Sequence, residues 1–185
     1  MNAPLPTPPD PTRERFDDVV KRHVRRQTQA ALRMRGRFPF EASPEHVFGR
    51  VTDPQLIAGW FGMIRSGSVD HTASCNVGDW GEGSKRLCHT WGMGDLDETI
   101  HHYEAPVTCV YSVRSPMMPV ENHAAAMLLE PTATGCILDW SQFFDLRGLV
   151  LKHMFPTMMA GMMNRGLRGL QKELGGNGGA MEVVG

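Results

Sequence analysis

Apolar and polar residues along this chain form three successive patterns: a helical one, a series of strand-like ones, and a second helical one. In the first pattern, apolar side chains recur near helical spacing at Phe16, Val19, Val20, Val24, Ala31 and Met34. Asp10-Pro11-Thr12 is a helix start signal. The pattern predicts an amphipathic helix over residues 12–34, preceded by a Pro-rich, disordered segment over residues 1–11.

The middle of the chain predicts two short helices and then a series of strands. Ser43 precedes Pro44, and Asp53 precedes Pro54. Each pair joins a side chain that can cap a helix to a proline at the first helical position, so two short helices should follow the strand that ends at Phe40. Short strands are then predicted at residues 67–70, 85–91, 97–104, 107–114, 123–130 and 136–144.

The last pattern predicts one long, methionine-rich helix that ends near Leu174. Leu167, Leu170 and Leu174 share one face that would clamp the sheet. Pro156 places either the helix start or a kink near it, and a kink next to Gly161 would let the helix move as a gate. Residues 175–185 begin with a glycine-rich run and are predicted to form a flexible tail. Consecutive short strands before one long helix predict an α+β domain over residues 35–174.

Several short fragments of this domain occur in the order that one known family shows. They are Ser43-Pro44-Glu45-His46-Val47-Phe48, Thr52-Asp53-Pro54 with Trp60, Val77-Gly78 before Gly83-Ser84-Lys85-Arg86, Tyr103-Glu104-Ala105-Pro106, Leu129-Glu130-Pro131 and Leu138-Asp139-Trp140. In this order they resemble the START-like (SRPBCC) helix-grip superfamily, and within it the polyketide cyclase/dehydrase-like branch. The resemblance implies a helix-grip fold, in which a curved antiparallel β-sheet wraps around a long C-terminal α-helix, with two short helices after the first strand.

The resemblance also implies a deep cavity closed by the last helix. Members of the superfamily bind lipids, polyketides, sterols, quinones or hormones there, and some catalyse cyclisation or dehydration. They share no catalytic motif, so the resemblance implies a pocket and leaves the reaction open. We therefore expect a carrier or sensor that binds a hydrophobic small molecule of lipid, polyketide or quinone type. The alternative is a polyketide cyclase or dehydratase that uses a cavity histidine as general acid or base.

Candidate ligand-binding residues are aromatic side chains, methionines and one histidine. Aromatic rings form apolar walls, and methionine adapts to irregular ligands because it is unbranched and polarizable. Each of these residues could equally be ordinary core. The candidates are Trp60, Met63, Trp91, His101, Tyr111, Met127, Trp140, Phe144, Met154, Met158 and Met162.

Few residues suggest chemistry. His101 and His102 are adjacent, and neighbouring strand residues point to opposite faces, so this pair is not expected to chelate a metal. His123 could approach the pocket mouth. We find no close-spaced metal ligands, phosphate loop or dinucleotide fingerprint, so the sequence predicts no metal and no cofactor and assigns no catalytic residue.

Charge is distributed unevenly. Residues 11–37 hold nine Lys/Arg against three Asp/Glu, whereas residues 38–185 hold ten against sixteen. The basic helix should therefore pack on its own acidic domain or on a second copy in a homodimer, with a membrane-surface or protein contact through residues 12–34 left open. Few aromatics lie among the basic residues, so no nucleic-acid partner is expected. Scattered single cysteines and a non-basic, non-apolar start favour a reducing, bacterial-type cytoplasm.

Overall fold

One antiparallel sheet of eight strands, with a long C-terminal helix packed on one face, organises the molecule. The computed structural model describes residues 11–148 and 154–184. Helix α1 (Pro11–Val19) continues into a π-helical turn (Val20–Val24), and α2 (Pro44–Thr52), α3 (Pro54–Ile57) and α4 (Met154–Leu174) follow. The strands are β1 (Leu32–Phe40), β2 (Ile64–Asp70), β3 (Lys85–Thr90), β4 (Asp95–Glu104), β5 (Thr108–Arg114), β6 (Val120–Pro131), β7 (Cys136–Leu146) and β8 (Met181–Val183), in the sheet order β2-β3-β4-β5-β6-β7-β1-β8.

The two short helices begin where their caps predict. Ser43 precedes α2 and its side chain accepts a hydrogen bond from the His46 N–H, while Asp53 does the same for the Gln55 N–H before α3. A proline occupies the start of each helix, where its missing N–H costs nothing. These helices carry the chain from β1 to β2, the opposite edge of the sheet, as the helix-grip prediction requires.

The main core lies between one sheet face, called here the inner face, and α4. Helix α4 buries Phe155, Met159, Met163, Leu167 and Leu170 on this side, at the spacing of one helical stripe. Pro156 falls in the first turn of α4, where proline is tolerated, and the helix continues unbroken to Leu174. A helix start near Pro156 agrees with these bounds, and the kink next to Gly161 stays a prediction.

The N-terminal segment departs from its predicted length. Helical structure ends at Val24, and residues from Leu32 onward form β1, so the predicted helix over 12–34 is wrong at its C-terminal end. The connection from the helix to β1 is held by Thr28, whose hydroxyl accepts a hydrogen bond from the Ala30 N–H and donates one to the Asn122 carbonyl. The spacing of Met34 fits a helix, but this residue is buried within the alternating pattern of β1.

This N-terminal segment packs on the outer face of its own sheet. Its side chains Phe16 and Val24 form a second apolar cluster with Val110, Ala124, Ala126 and Phe143. Two cations cover the cluster: the Arg35 guanidinium lies 3.5 Å from the centre of the Phe16 ring, and that of Arg25 lies 5.1 Å from the Phe143 ring. The apolar side of the segment is therefore buried within the same chain, which leaves its charged side facing solvent.

The C-terminal segment is also ordered, although a flexible tail was predicted. Met181–Val183 form β8, which pairs antiparallel with β1. Asn164 of α4 both donates to and accepts from the Met181 backbone, and Gln171 donates to the Gly178 carbonyl. A strand of three residues is too short to show alternation in the sequence, so its pairing could not be predicted. The predicted disorder of residues 1–11 lies outside the described residues except at Pro11, which begins α1.

Candidate functional site

A narrow cavity of about 60 Å³ lies between the inner face of the sheet and α4. Most of its lining is apolar and includes Ile57, Ile64, Met118, Trp140, Met159 and Met163. Pockets for drug-sized ligands measure roughly 300–1,000 Å³, so this cavity has room for a few water molecules at most. A larger ligand must displace side chains to enter.

A charged pair lies in the wall of this apolar cavity. Arg86 and Glu98 face each other on the adjacent strands β3 and β4, and only 1% and 7% of their surfaces are exposed. The Arg86 Nε atom lies 2.7 Å from Glu98 Oε2, so the two side chains form a buried ion pair. Arg86 Nη1 donates to the Thr52 carbonyl at 2.9 Å, and its guanidinium lies 4.5 Å from the Tyr111 ring centre.

Burial sets the electrostatics of the pair. Desolvation raises the pKa of the Glu98 carboxyl, and the Arg86 guanidinium opposes that shift. Desolvation also lowers the pKa of Arg86, but Glu98 and the other nearby acidic groups outweigh it, so the net shift is upward. Arg86 therefore keeps its charge, whereas its attraction offsets only part of the burial cost at Glu98, whose net pKa shift is upward.

A neutral histidine completes the polar part of the cavity wall. Val113 donates its backbone N–H to His123 Nδ1 at 3.1 Å, so the ring proton belongs on Nε2, which lies 3.3 Å from Gln142 Oε1. The Gln142 amide then donates to the Met163 sulfur. Burial lowers the pKa of His123 to about 4. Both ring nitrogens are engaged and the ring is neutral at pH 7, which suits a structural role better than proton transfer.

The buried thiols are also unsuited to catalysis. Cys88 lines the cavity, and desolvation raises its pKa, like that of Cys109, to about 12. A protonated thiol is a poor nucleophile. Among the described residues, no group of three or more His, Cys, Asp or Glu could hold a metal ion, and no helix is long and apolar enough to cross a bilayer.

Three of the predicted ligand-binding residues line the cavity: Met63, Tyr111 and Trp140. Met127 and Phe144 are buried in the same core but do not line it. On α4 the cavity side chains are Met159 and Met163, whereas the predicted Met154 and Met158 are 68% and 48% exposed. The buried leucines show which side of α4 faces the sheet. Counting back from Leu167 in steps of four residues along that side reaches Met163 and Met159.

His101 lies on the outer face of the sheet, away from the cavity, and a β-bulge leaves His102 on the same face. The pairing of β4 with β5 shifts between Ile100 and His102, so the alternation of faces is broken there. His101 Nε2 lies 2.8 Å from the Ser112 hydroxyl, and His102 stacks on His23 of the N-terminal segment. Both histidines are therefore on the outer face, and the prediction that they point to opposite faces is wrong.

The remaining predicted residues, Trp60, Trp91 and Met162, line a second concave surface, called here the outer groove. It is open to solvent and measures about 580 Å³. Phe61 and Met63 line both the outer groove and the narrow cavity. These two side chains therefore form the partition between the two spaces.

The fold and this interior define the class: a START-like helix-grip protein with a cavity between its sheet and its last helix. Residues 31–175 match the family described as polyketide cyclase / dehydrase and lipid transport. The chain belongs to that family, and the resemblance drawn from the sequence is confirmed. A comparison with curated proteins finds no match.

Solved structures share the fold at low sequence identity. A START superfamily protein from Mycobacterium smegmatis matches with a TM-score of 0.62 and 11% identity, over 77% of this chain and 97% of that one. Protein XoxI from Bacillus cereus matches with a TM-score of 0.61 and 16% identity, over 76% and 93%. A Thermobifida fusca protein matches with a TM-score of 0.60 and 19% identity, over 78% and 93%. At such identities the likeness shows the fold alone.

Proposed function

We propose that this protein binds a hydrophobic small molecule of lipid, polyketide or quinone type between the sheet and α4, and acts as its carrier or sensor. The observation that carries the proposal is the Arg86–Glu98 pair in the wall of an otherwise apolar cavity. It supports a ligand that is apolar over most of its surface and carries an oxygen at one end.

Burying the Arg86–Glu98 ion pair in the core requires removing both charges from water, which costs free energy. Buried ion pairs can often be replaced by apolar residues with no loss of stability, so stability alone does not account for this one. Within the described part of the chain, the Arg86 guanidinium pairs with Glu98 through Nε and donates to the Thr52 carbonyl through Nη1. Its other N–H groups are available to a hydroxyl or carbonyl oxygen of a ligand.

The apolar lining would provide most of the binding free energy. Covering about 300 Å² of apolar ligand surface at roughly 25 cal/mol per Å² gives on the order of 7 kcal/mol before the cost of association. Association costs several kcal/mol, so micromolar affinity is the natural expectation for the apolar part alone. A satisfied hydrogen bond at Arg86 adds specificity for an oxygen-bearing ligand.

Native mass spectrometry of the protein purified from its own host tests this proposal. We expect a bound apolar molecule with a hydroxyl or carbonyl group, identified after extraction. The same preparation, stripped of ligand, should take up the neutral fluorescent probe N-phenyl-1-naphthylamine with micromolar affinity. A protein that carries no small molecule and also takes up no neutral probe would contradict the proposal.

A further inference from the structure

The outer groove has the size and lining of a ligand site in its own right. Its walls are Trp60 and Trp91 on one side and Met162 of α4 on the other. Its volume of about 580 Å³ falls within the range typical of small-molecule pockets, roughly 300–1,000 Å³. Trp91 is 64% exposed, and aromatic side chains are common in the walls of ligand pockets.

Two cations lie at this groove without acidic partners. Arg165 lines it, and the Arg65 guanidinium lies 5.4 Å from the centre of the Trp91 ring. Among the described residues neither arginine forms an ion pair. By contrast, Arg50 pairs with Glu173 of α4, and Arg86 pairs with Glu98. A guanidinium presents a planar fork of donors that matches a carboxylate. The groove therefore combines apolar walls with unneutralised positive charge.

The outer groove adjoins the interior through a thin partition. Phe61 and Met63 line both spaces, and α4 approaches closely here. A Cβ added at Gly166 would lie 2.9 Å from Phe61 Cδ2. A long ligand could extend from one space into the other once these two side chains move aside.

We propose that the outer groove binds the carboxylate of a long-chain, oxygen-bearing organic acid, whose apolar body passes Phe61 and Met63 into the interior. The assignment rests on the proposed function and adds the ligand class: an acid at the groove end and a hydroxyl or carbonyl oxygen at the Arg86 end. The concave shape favours a small molecule over a bilayer, because a surface that inserts into a bilayer protrudes from the protein.

The test compares two compounds that differ at one end only, 12-hydroxydodecanoate and 1,12-dodecanediol, by isothermal titration calorimetry. We expect the acid to bind the wild-type protein more tightly than the diol. Arg165→Gln should weaken binding of the acid about tenfold, the effect of losing one charge-assisted hydrogen bond, and leave the diol within about twofold. Arg168→Gln is the matched control, because it removes the same charge from an exposed position of α4 outside the groove.

Each alternative outcome has a distinct meaning. If both compounds bind equally and Arg165→Gln changes neither, the inference is overturned while the proposed function stands. If neither compound binds and the neutral probe is not taken up, both fail. Cosedimentation with vesicles of anionic phospholipid that depends on Arg165, without binding of the acid, would overturn the inference in favour of a membrane surface.

Discussion

Arg86 and Glu98 face each other across β3 and β4 inside an apolar interior, with Nε and Oε2 2.7 Å apart. The pair is buried by the same sheet and helix that enclose the cavity. Its position explains why the protein can hold opposite charges there: each one lowers the cost of burying the other.

Removing one member of the pair should be far more damaging than removing both. Glu98→Leu leaves the Arg86 charge buried without a partner and is expected to lower the free energy of unfolding by about 3–5 kcal/mol. The double variant Arg86→Met/Glu98→Leu should recover most of that loss, because no buried charge remains. Urea unfolding of the three proteins measures both effects. A double variant as unstable as Glu98→Leu alone would show that the pair is needed for folding itself.

His123 should make stability depend on pH in a defined window. Burial lowers its pKa to about 4 in the folded protein, against about 6.5 when unfolded. Between these values the unfolded chain binds the proton and the folded one does not, so stability falls as the pH drops from about 6.5 to about 4. The full loss amounts to about 3 kcal/mol.

His123→Gln isolates this contribution, since glutamine keeps a hydrogen-bonding group at the site but does not titrate. The measurement is the difference in unfolding free energy between the wild-type protein and the variant across pH 4–8. As the pH falls through that window, we expect the wild-type protein to lose about 3 kcal/mol of unfolding free energy relative to the variant. A difference that stays constant with pH would mean that His123 is not kept neutral by burial.

The order of elements could be predicted from sequence because each has a local signal. Ser43 and Asp53 cap their helices as predicted, and the leucine stripe of α4 is buried on the sheet. The cavity lining was harder to predict, because it depends on which side of each strand and helix faces inward. In β4 the buried residues are Leu96, Glu98 and Ile100, so strict alternation with its apolar neighbours could have placed Glu98 inside.

Other features have no signal in a single sequence. The bulge that leaves His102 on the same outer face as His101 arises from the pairing of two strands, and such a register shift is a tertiary effect. In β3 the inner positions are taken by Arg86 and Cys88, while Leu87 is 37% exposed. A rule that places apolar residues inside would turn Leu87 inward and Arg86 outward. The inward position of Arg86 is explained by its pairing with the opposite charge of Glu98.

Two glycines of α4 should respond oppositely to alanine. A Cβ at Gly169 meets nothing within 4 Å, whereas at Gly166 it would lie 2.9 Å from Phe61 and 3.3 Å from Trp60. Gly169→Ala should therefore raise the free energy of unfolding by about 0.5–1 kcal/mol, the usual gain in a helix interior. Gly166→Ala should gain nothing or lose stability, because the partition side chains must shift. Urea unfolding of the two variants measures both effects. If both alanines stabilise the protein equally, the helix does not press on Phe61.

The partition itself should control how fast a ligand enters. Phe61 and Met63 separate the narrow cavity from the outer groove, so Phe61→Ala would join the two spaces. We expect N-phenyl-1-naphthylamine to bind and dissociate about tenfold faster in stopped-flow fluorescence, with a smaller change in affinity, because a gating side chain limits both rates. Leu56→Ala is the matched control, since Leu56 is 43% exposed on the neighbouring helix and lines neither space. Unchanged rates in Phe61→Ala would place the access route elsewhere, between α4 and another part of the sheet.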